Sequence, residues 1–475
     1  MTFATERAVA APAVRQSQRW RWLAFGTVIT AAVMDLLDST IAQVAAPTIR
    51  RSLGGSYAVI EWVTASYTLA MAVGLLTGGR LGDLYGRRRV LLAGLAGFVV
   101  ASAACAAAGS AAELIAARAA QGLLGSIMLP QVFGLIRDLF EEHEMGKAFG
   151  VYGPVMGLSA MIGPIAAGGL ISLDVFGAGW RMIFLVNVPV GLAALAVGAR
   201  ILPAGAPAGS SAAPVGGGRR LDLFGALLAG VAMFLLVYPL AQGHDLGWPG
   251  WLFGMLAASV LALGGFGWYQ GRKRSPLIEL SVFAHRSYTM GIVFSIVFVA
   301  SLGGIVMIFN VFLQNGLGYT PWHSAVTTAP WAAGAFIGSA AGGITMARLG
   351  RRVLHAGLIV EAAGLAGIYL VIHQSVGTLD LLAPMIIGGI GMGMVFVPLF
   401  DIVMAGVRPQ EMGSASGILQ TVNALGVSLG VAGIGAIFFA IHGSVPAARW
   451  TALATIGLLA VAFAVGFGLP RKARG

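Results

Sequence analysis

Thr77 to Val90 reads T-G-G-R-L-G-D-L-Y-G-R-R-R-V, a charged, glycine-rich hinge between two apolar runs, each of the roughly 20 residues that a bilayer crossing takes. A glycine-rich loop with basic residues can cradle phosphate. That use requires a preceding strand, a following amphipathic helix and, in the P-loop form, a closing Gly-Lys-Ser/Thr. None of these flanks the hinge. It reads instead as a tight connection between two membrane spans.

The rest of the chain agrees. Of its 475 residues 58% are hydrophobic and only 10% charged, and the mean hydropathy is +0.87. A soluble domain carries about 25% charged residues. Only helices and closed barrels satisfy their backbone polar groups in hydrocarbon, and the long apolar runs select helices, so the expected fold class is an all-α membrane protein. The net charge of +11 is scattered through short loops rather than gathered on one face, which argues against a nucleic-acid partner. The single cysteine, Cys105, can form no intrachain disulfide, and packing is its expected role. The seven histidines show no metal-ligand spacing, so no metal is expected. No apolar run precedes the first span, so the first residues do not read as a cleaved signal.

Apolar windows predict fourteen spans. They divide into a cytoplasmic tail over 1–21, a six-helix bundle over 22–201, a Pro/Gly/Ala/Ser-rich linker over 202–220, two inserted spans over 221–270, a connector over 271–287, a second six-helix bundle over 288–469 and a tail over 470–475. With both termini in the cytoplasm, twenty-four Lys and Arg residues fall inside and only Arg50, Arg51, Arg181 and Arg449 outside, with Arg118 within a span. That is the bias of the positive-inside rule. Charge parity cannot distinguish twelve spans from fourteen. The two apolar runs between 221 and 270 decide for fourteen.

The chain also repeats itself. Gly78-Gly79, six residues, then Gly86-Arg87-Arg88 recurs as Gly342-Gly343, six residues, then Gly350-Arg351-Arg352. Glu144-Met145-Gly146 recurs as Glu411-Met412-Gly413, and Gly125 with Pro130 recurs as Gly393 with Pro398. Two homologous halves with a substrate site between them follow from such parallel repeats.

Ionisable groups inside spans are costly and point to function. Asp35 and Asp38 are three apart on the first span and share a face, and Arg118 on the fourth span lies at a similar depth to Asp38. The sequence leaves open whether they move protons or form a static, packed ion pair. Glu361, mid-span in the second half, matches no motif; a protonation site, a counter-charge for a cation and a structural carboxylate are all compatible with it. Tyr67, Gln121, Gln131, Phe309, Asn310 and Gln314 are polar or aromatic candidates for a cavity wall.

Several motifs carry a family resemblance. Gly79-x-Leu81-x-Asp83-x-x-Gly86-Arg87-Arg88 resembles the loop after the second helix of the major facilitator superfamily. Leu114-x-x-x-Arg118-x-x-Gln121-Gly122-x-x-Gly125 is similar to the superfamily's fourth-helix motif, and Leu37-Asp38-x-Thr40, Trp180-Arg181-x-x-Phe184-Leu185-x-Asn187-x-Pro189 and Phe312-Leu313-Gln314-x-x-Leu317-Gly318-Tyr319-Thr320-Pro321 are similar to its fourteen-helix drug–proton antiporter branch. Gly153, Gly157, Gly163 and Pro164 on the fifth span resemble the antiporter motif of its exporters, with Ala167 departing from the pattern. On the first span Gln43 stands where the branch's first-helix signature usually has Asn, and Ala347 replaces the acidic residue in the second copy of the gate loop.

The resemblance implies two six-helix bundles plus two inserted helices, working as multidrug efflux transporters do: a proton antiporter that exports hydrophobic or cationic small molecules. It assigns the gate loop to latching the cytoplasmic side and the arginine of the fourth span to proton relay. It implies no cofactor beyond a proton gradient, the lipid bilayer as surroundings, a monomer, and no enzymatic role. An importer or uniporter of the same fold and a non-transporting membrane sensor are the rival readings.

Overall fold

The computed structural model describes residues 18–470 apart from 57, 142–143, 175–176, 204–221, 274–279, 405–406 and 408–411. Its elements are helices: α1 (Gln18–Leu53), α2 (Ala58–Tyr85), α3 (Arg87–Ala107), α4 (Ala111–Leu139), α5 (Met145–Leu173), α6 (Met182–Leu185), α7 (Asn187–Ile201), α8 (Leu223–Leu246), α9 (Gly250–Arg272), α10 (Arg286–Val311), α11 (Pro321–Leu349), α12 (Arg352–Val371), α13 (Thr378–Met404), α14 (Met412–Ala440) and α15 (Ser444–Gly466). Short α6 and α7 form one span, broken at Val186. Pro189 explains the break, because it offers no N–H to the Leu185 carbonyl four residues back.

Among the described residues, twelve helices are long and apolar enough to cross a membrane. The two long helices outside that set are α5, whose described apolar run is Ile162–Leu173, and α11. On α11, His323, Ser324, Thr327, Thr328, Ser339 and Thr345 dilute the apolar residues.

The hinge differs from expectation. Instead of a loop, α2 runs through Tyr85 and α3 starts at Arg87, leaving Gly86 alone to reverse the chain at φ 90°. Gly350 does the same between α11 and α12 at φ 54°. A side chain at either φ would clash with its own backbone, which is why a glycine recurs at this offset in both halves.

The repeat is also one of packing. In the first half α2 and α3 pack on α4 and α1 packs on α5; in the second, α11 and α12 pack on α13 and α10 packs on α14. Equally close contacts occur in both halves. A Cβ on Gly122 would lie 2.1 Å from the Tyr67 carbonyl oxygen, and one on Gly389 2.0 Å from that of Trp331. Small residues thus let spans approach backbone to backbone.

The halves meet through α5 on α11 and α2 on α14. The contacts concentrate at the end where α1 finishes and α2 begins. Gln314, in a π-helical turn over Phe312–Gly316, reaches α1, where its Nε2 donates to the Val44 carbonyl (2.8 Å) and its Oε1 accepts from Thr48 (3.2 Å). At the same end Gly168 of α5 lies against Pro321 and Trp322 of α11, and Glu61 of α2 against Gly435 of α14; nearer mid-span Thr68 of α2 is hydrogen-bonded to Ser428 of α14. The inserted α8 packs over the α2–α14 seam and carries α9 on its other side.

Candidate functional site

The first half is built around a buried charge. Asp38 on α1 and Arg118 on α4 form an ion pair, each side chain only 1% exposed. The other Asp38 oxygen accepts from Gln121 Nε2 and from Asn187 Nδ2, both at 2.8 Å. Arg118 Nε donates to the Val63 carbonyl at 3.0 Å, and Nη1 also donates to Gln121 Oε1 at 2.7 Å. Gln121 Nε2 reaches Ser102 Oγ at 2.9 Å. Five helices, α1, α2, α3, α4 and α7, therefore converge on one carboxylate. An ionised carboxylate only accepts, and every group facing Asp38 donates, so the cluster fits the charged form.

Asp35 lies beside this cluster and accepts from the Tyr67 hydroxyl. The Tyr67 ring carries the Arg118 guanidinium 4.2 Å above its centroid. Tyr67 thus joins the two carboxylates, one through its hydroxyl and the other through its face. Gly125 makes the room: a Cβ there would be 2.6 Å from Asp35 Oδ1. Asn187 was quoted within a motif without a role, and nothing in the sequence around Ser102 marks it as a partner of Gln121.

Glu361 is nowhere near this cluster. It is fully buried on α12, and among the described residues neither of its carboxylate oxygens has a hydrogen-bond partner. Gly391 of α13 packs directly against its backbone.

Of the gate-loop residues, Arg87 pairs with Asp138 (2.7 Å) and donates to the Gly134 carbonyl, and Arg88 donates to the Ala199 carbonyl at the end of α7. In the second half Arg351 caps α15 through the Phe467 and Leu469 carbonyls, both at 2.7 Å. The side chains at Gly79 and Asp83, and the positions Gly153 and Gly157 on α5, lie outside the described residues. Gly163 fits against Thr40 of α1, its absent Cβ 2.4 Å from that hydroxyl.

A cavity of about 630 Å³ lies between the halves. Aromatic and thioether side chains, Phe309, Trp331, Phe336, Phe396, Met156, Met385 and Met392, line it together with as many aliphatic ones, Leu36, Val44, Ile305 and Ile368 among them. Pro164 and the polar groups Thr40, Gln43, Asn310, Thr328 and Ser339 complete it. Phe309 and Asn310 therefore face the cavity. Tyr67, Gln121, Gln131 and Gln314 do not, because each is drawn into a polar contact elsewhere: Gln131 donates to the Gly78 carbonyl at 2.7 Å, and the others serve Asp35, Asp38 and α1.

Outside the spans, Asp222 ahead of α8 ties that helix to α9. Burial opposes its charge, but hydrogen bonds from Lys273, the Gly225 N–H, Gln270 and Tyr269 outweigh this and hold its carboxyl below the ordinary value. Burial likewise acts to lower Lys273, and Asp222 with Tyr269 more than reverses it, so the ammonium is held above its ordinary value.

Two helical bundles around a central cavity, with a buried ion pair beside it, are the architecture of a multi-span membrane transporter. The family model for the Major Facilitator Superfamily matches residues 28–431, and the chain belongs to that superfamily, in its drug-efflux branch. It is 41% identical to a probable actinorhodin transporter of Streptomyces coelicolor over 89% of this chain and 73% of the relative. It is 35% identical to a tetracenomycin C resistance and export protein of Streptomyces glaucescens over 90% of this chain and 78% of that one. To a puromycin resistance protein of Streptomyces alboniger it is 35% identical, over 94% and 89%. Among solved structures, a bacterial homologue of the lysosomal transporter Spinster, inward-facing and occupied, superposes with a TM-score of 0.66 at 15% identity over 95% of this chain and 97% of that chain. The xylose transporter XylE of E. coli gives 0.63 at 12% identity over 94% and 98%. At such identities these two establish the fold. The protein is a transporter and not an enzyme.

Proposed function

We propose that this chain is a proton-coupled antiporter that exports hydrophobic or cationic small molecules, such as drugs, antibiotics or a secondary metabolite, across the cytoplasmic membrane by alternating access. The observation that carries the proposal is the Asp38 carboxylate, buried at 2% exposure among Arg118, Gln121 and Asn187. A proton on Asp38 would neutralise the carboxylate that three donors share, set a further donor among them and leave the Arg118 charge uncompensated. Such a change is costly in a dry site and biases any two-state arrangement of α1 against α4. The names of the relatives support export of antibiotics as the direction and cargo.

In this reading all fourteen helical rods cross the membrane, α5 and α11 among them, and both termini are cytoplasmic. The basic bias then places the α1–α2 end outside. The contacts of Gln314, Gly168 and Glu61 close that outer end, so the cavity faces the cytoplasm. Export requires those contacts to part while the inner ends meet. The proton gradient supplies the energy, and no cofactor is needed.

The test is transport in everted membrane vesicles with an imposed pH gradient. Wild type should take up substrate only when the lumen is acid, and Asp38→Asn should insert normally yet lose gradient-driven uptake by at least about a hundredfold, the scale of removing one partner of a buried charge pair. Full gradient-driven activity in Asp38→Asn, or uptake running the opposite way, would refute the proposal.

A further inference from the structure

The cavity wall is informative about its occupant. No ionisable side chain lines it among the described residues. The buried carboxylates lie elsewhere: Asp38 is filled by its three donors, Asp35 is held by Tyr67, and Glu361 sits at the α12–α13 contact. An ionic ligand would therefore be desolvated with no counter-charge to receive it. Nor do the four rings of the wall form a cage for a cation. Among the described residues none of Phe309, Trp331, Phe336 and Phe396 pairs with another, and Phe309 has Phe312 as its ring neighbour.

Trp331 presents a face rather than a donor. Its Nε1–H points to Met392 Sδ at 3.2 Å, and its ring lies so close to Gly388 that a Cβ there would be 2.4 Å from Cζ3. A ring held flat in this way offers a stacking surface.

The polar groups of the wall divide into two kinds. Asn310 is engaged at both ends of its amide, its Nδ2 on the Val306 carbonyl and its Oδ1 accepting from Ser324, both at 2.9 Å. The Thr40 and Thr328 hydroxyls donate to carbonyls of their own helices. Gln43 and Ser339 have no such engagement among the described residues and face the cavity with full hydrogen-bonding capacity. They come from opposite halves. Gln43 lies ten residues before the end of α1, and Ser339 eighteen after the start of α11 at the same end of the molecule. At ~1.5 Å of rise per residue their depths differ by about 12 Å, the length of three fused rings.

Taking the cavity as the substrate site of the exporter proposed above, we infer that it binds an uncharged, flat, fused-ring molecule that carries carbonyl or hydroxyl oxygens, stacked on Trp331 and hydrogen-bonded to Gln43 and Ser339. Such a ligand touches both halves at once, so its presence is felt by their relative motion.

The experiment is equilibrium binding to the full chain in lipid nanodiscs, without a pH gradient. The probes are acridone, which is neutral with a carbonyl oxygen, and N-methylacridinium, a permanent cation of nearly equal shape. Acridone should bind at least about tenfold more tightly, and Gln43→Ala and Ser339→Ala should each weaken it by about tenfold, as losing a buried hydrogen bond does. Ser339→Asp should reverse the preference toward the cation. Calorimetric and thermal-unfolding measurements on each variant separate loss of the site from loss of the fold. Equal or tighter binding of the cation to wild type, binding of neither probe, or unchanged acridone affinity in both folded alanine variants would overturn the inference. A protein that binds acridone selectively but moves nothing against a pH gradient would overturn the export reading and leave this one standing.

Discussion

Tyr67 is the residue where two buried carboxylates become one unit. Its hydroxyl serves Asp35 while its ring supports Arg118, the partner of Asp38. Tyr67→Phe keeps the ring and removes the hydroxyl, so the Asp38 pair should survive while Asp35 loses its donor. Gradient-driven efflux is expected to fall by about tenfold at unchanged expression, the scale of one hydrogen bond to a charged group. Efflux equal to wild type would mean that Asp35 acts independently of the Asp38 cluster. At this scale the sequence was partly legible. Spacing and depth sufficed to bring Asp35, Asp38 and Arg118 into one neighbourhood, because intramembrane charges are rare enough to identify one another. Tyr67, Gln121, Gln131 and Gln314 read equally well as cavity wall. A polar side chain in a span has several faces to choose from, and only the neighbouring helices fix which one it takes.

At the scale of elements the glycines set how closely helices pack. Gly391 on α13 touches Glu361 on α12 so closely that a Cβ would be 2.1 Å from its backbone nitrogen, whereas Gly457 on α15 has nothing within 4 Å. Gly391→Ala should destabilise the folded protein by about 1–3 kcal/mol through overpacking, while Gly457→Ala should be neutral or slightly stabilising. Thermal unfolding in detergent compares the two, and equal melting temperatures would refute the account.

The α8–α9 clasp makes a different prediction. The lowered Asp222 contributes above the ordinary carboxylate pKa and loses that contribution as pH falls through its folded value. The raised Lys273 contributes below the ordinary lysine pKa and loses it only as pH rises through its own folded value. The destabilisation by Asp222→Asn should therefore be constant between about pH 5 and 9 and shrink only in acid below about pH 4. A difference in melting temperature that varies across the neutral range would contradict it. The helices were readable from apolar length, twelve of them long and apolar enough to cross a membrane among the described residues, and the glycine turns from the repeated Gly-Arg-Arg. The break at Val186 and the π-turn at Gln314 were not, because each depends on which carbonyl finds a donor across the fold.

For the molecule as a whole, Gln314 ties the halves together at the α1–α2 end through Val44 and Thr48. Gln314→Ala should shift the population toward the state open at that end. Spin labels at Ser52→Cys and Trp322→Cys in a Cys105→Ala background would report a longer mean separation in pulsed-dipolar measurements; an unchanged distance distribution would show that apolar contacts alone keep the end shut. The repeat in the sequence anticipated the two-half plan, since matching glycines mark matching helix contacts. What no single sequence could show is the division of labour between the halves. The ion-pair cluster is confined to α1, α2, α3, α4 and α7, whereas α10, α11, α12 and α13 supply the larger part of the cavity wall. In the exporter reading proposed above, heredity can exploit that separation: substitutions confined to the second bundle would reshape most of the cavity wall, with the charged cluster inherited intact in the first.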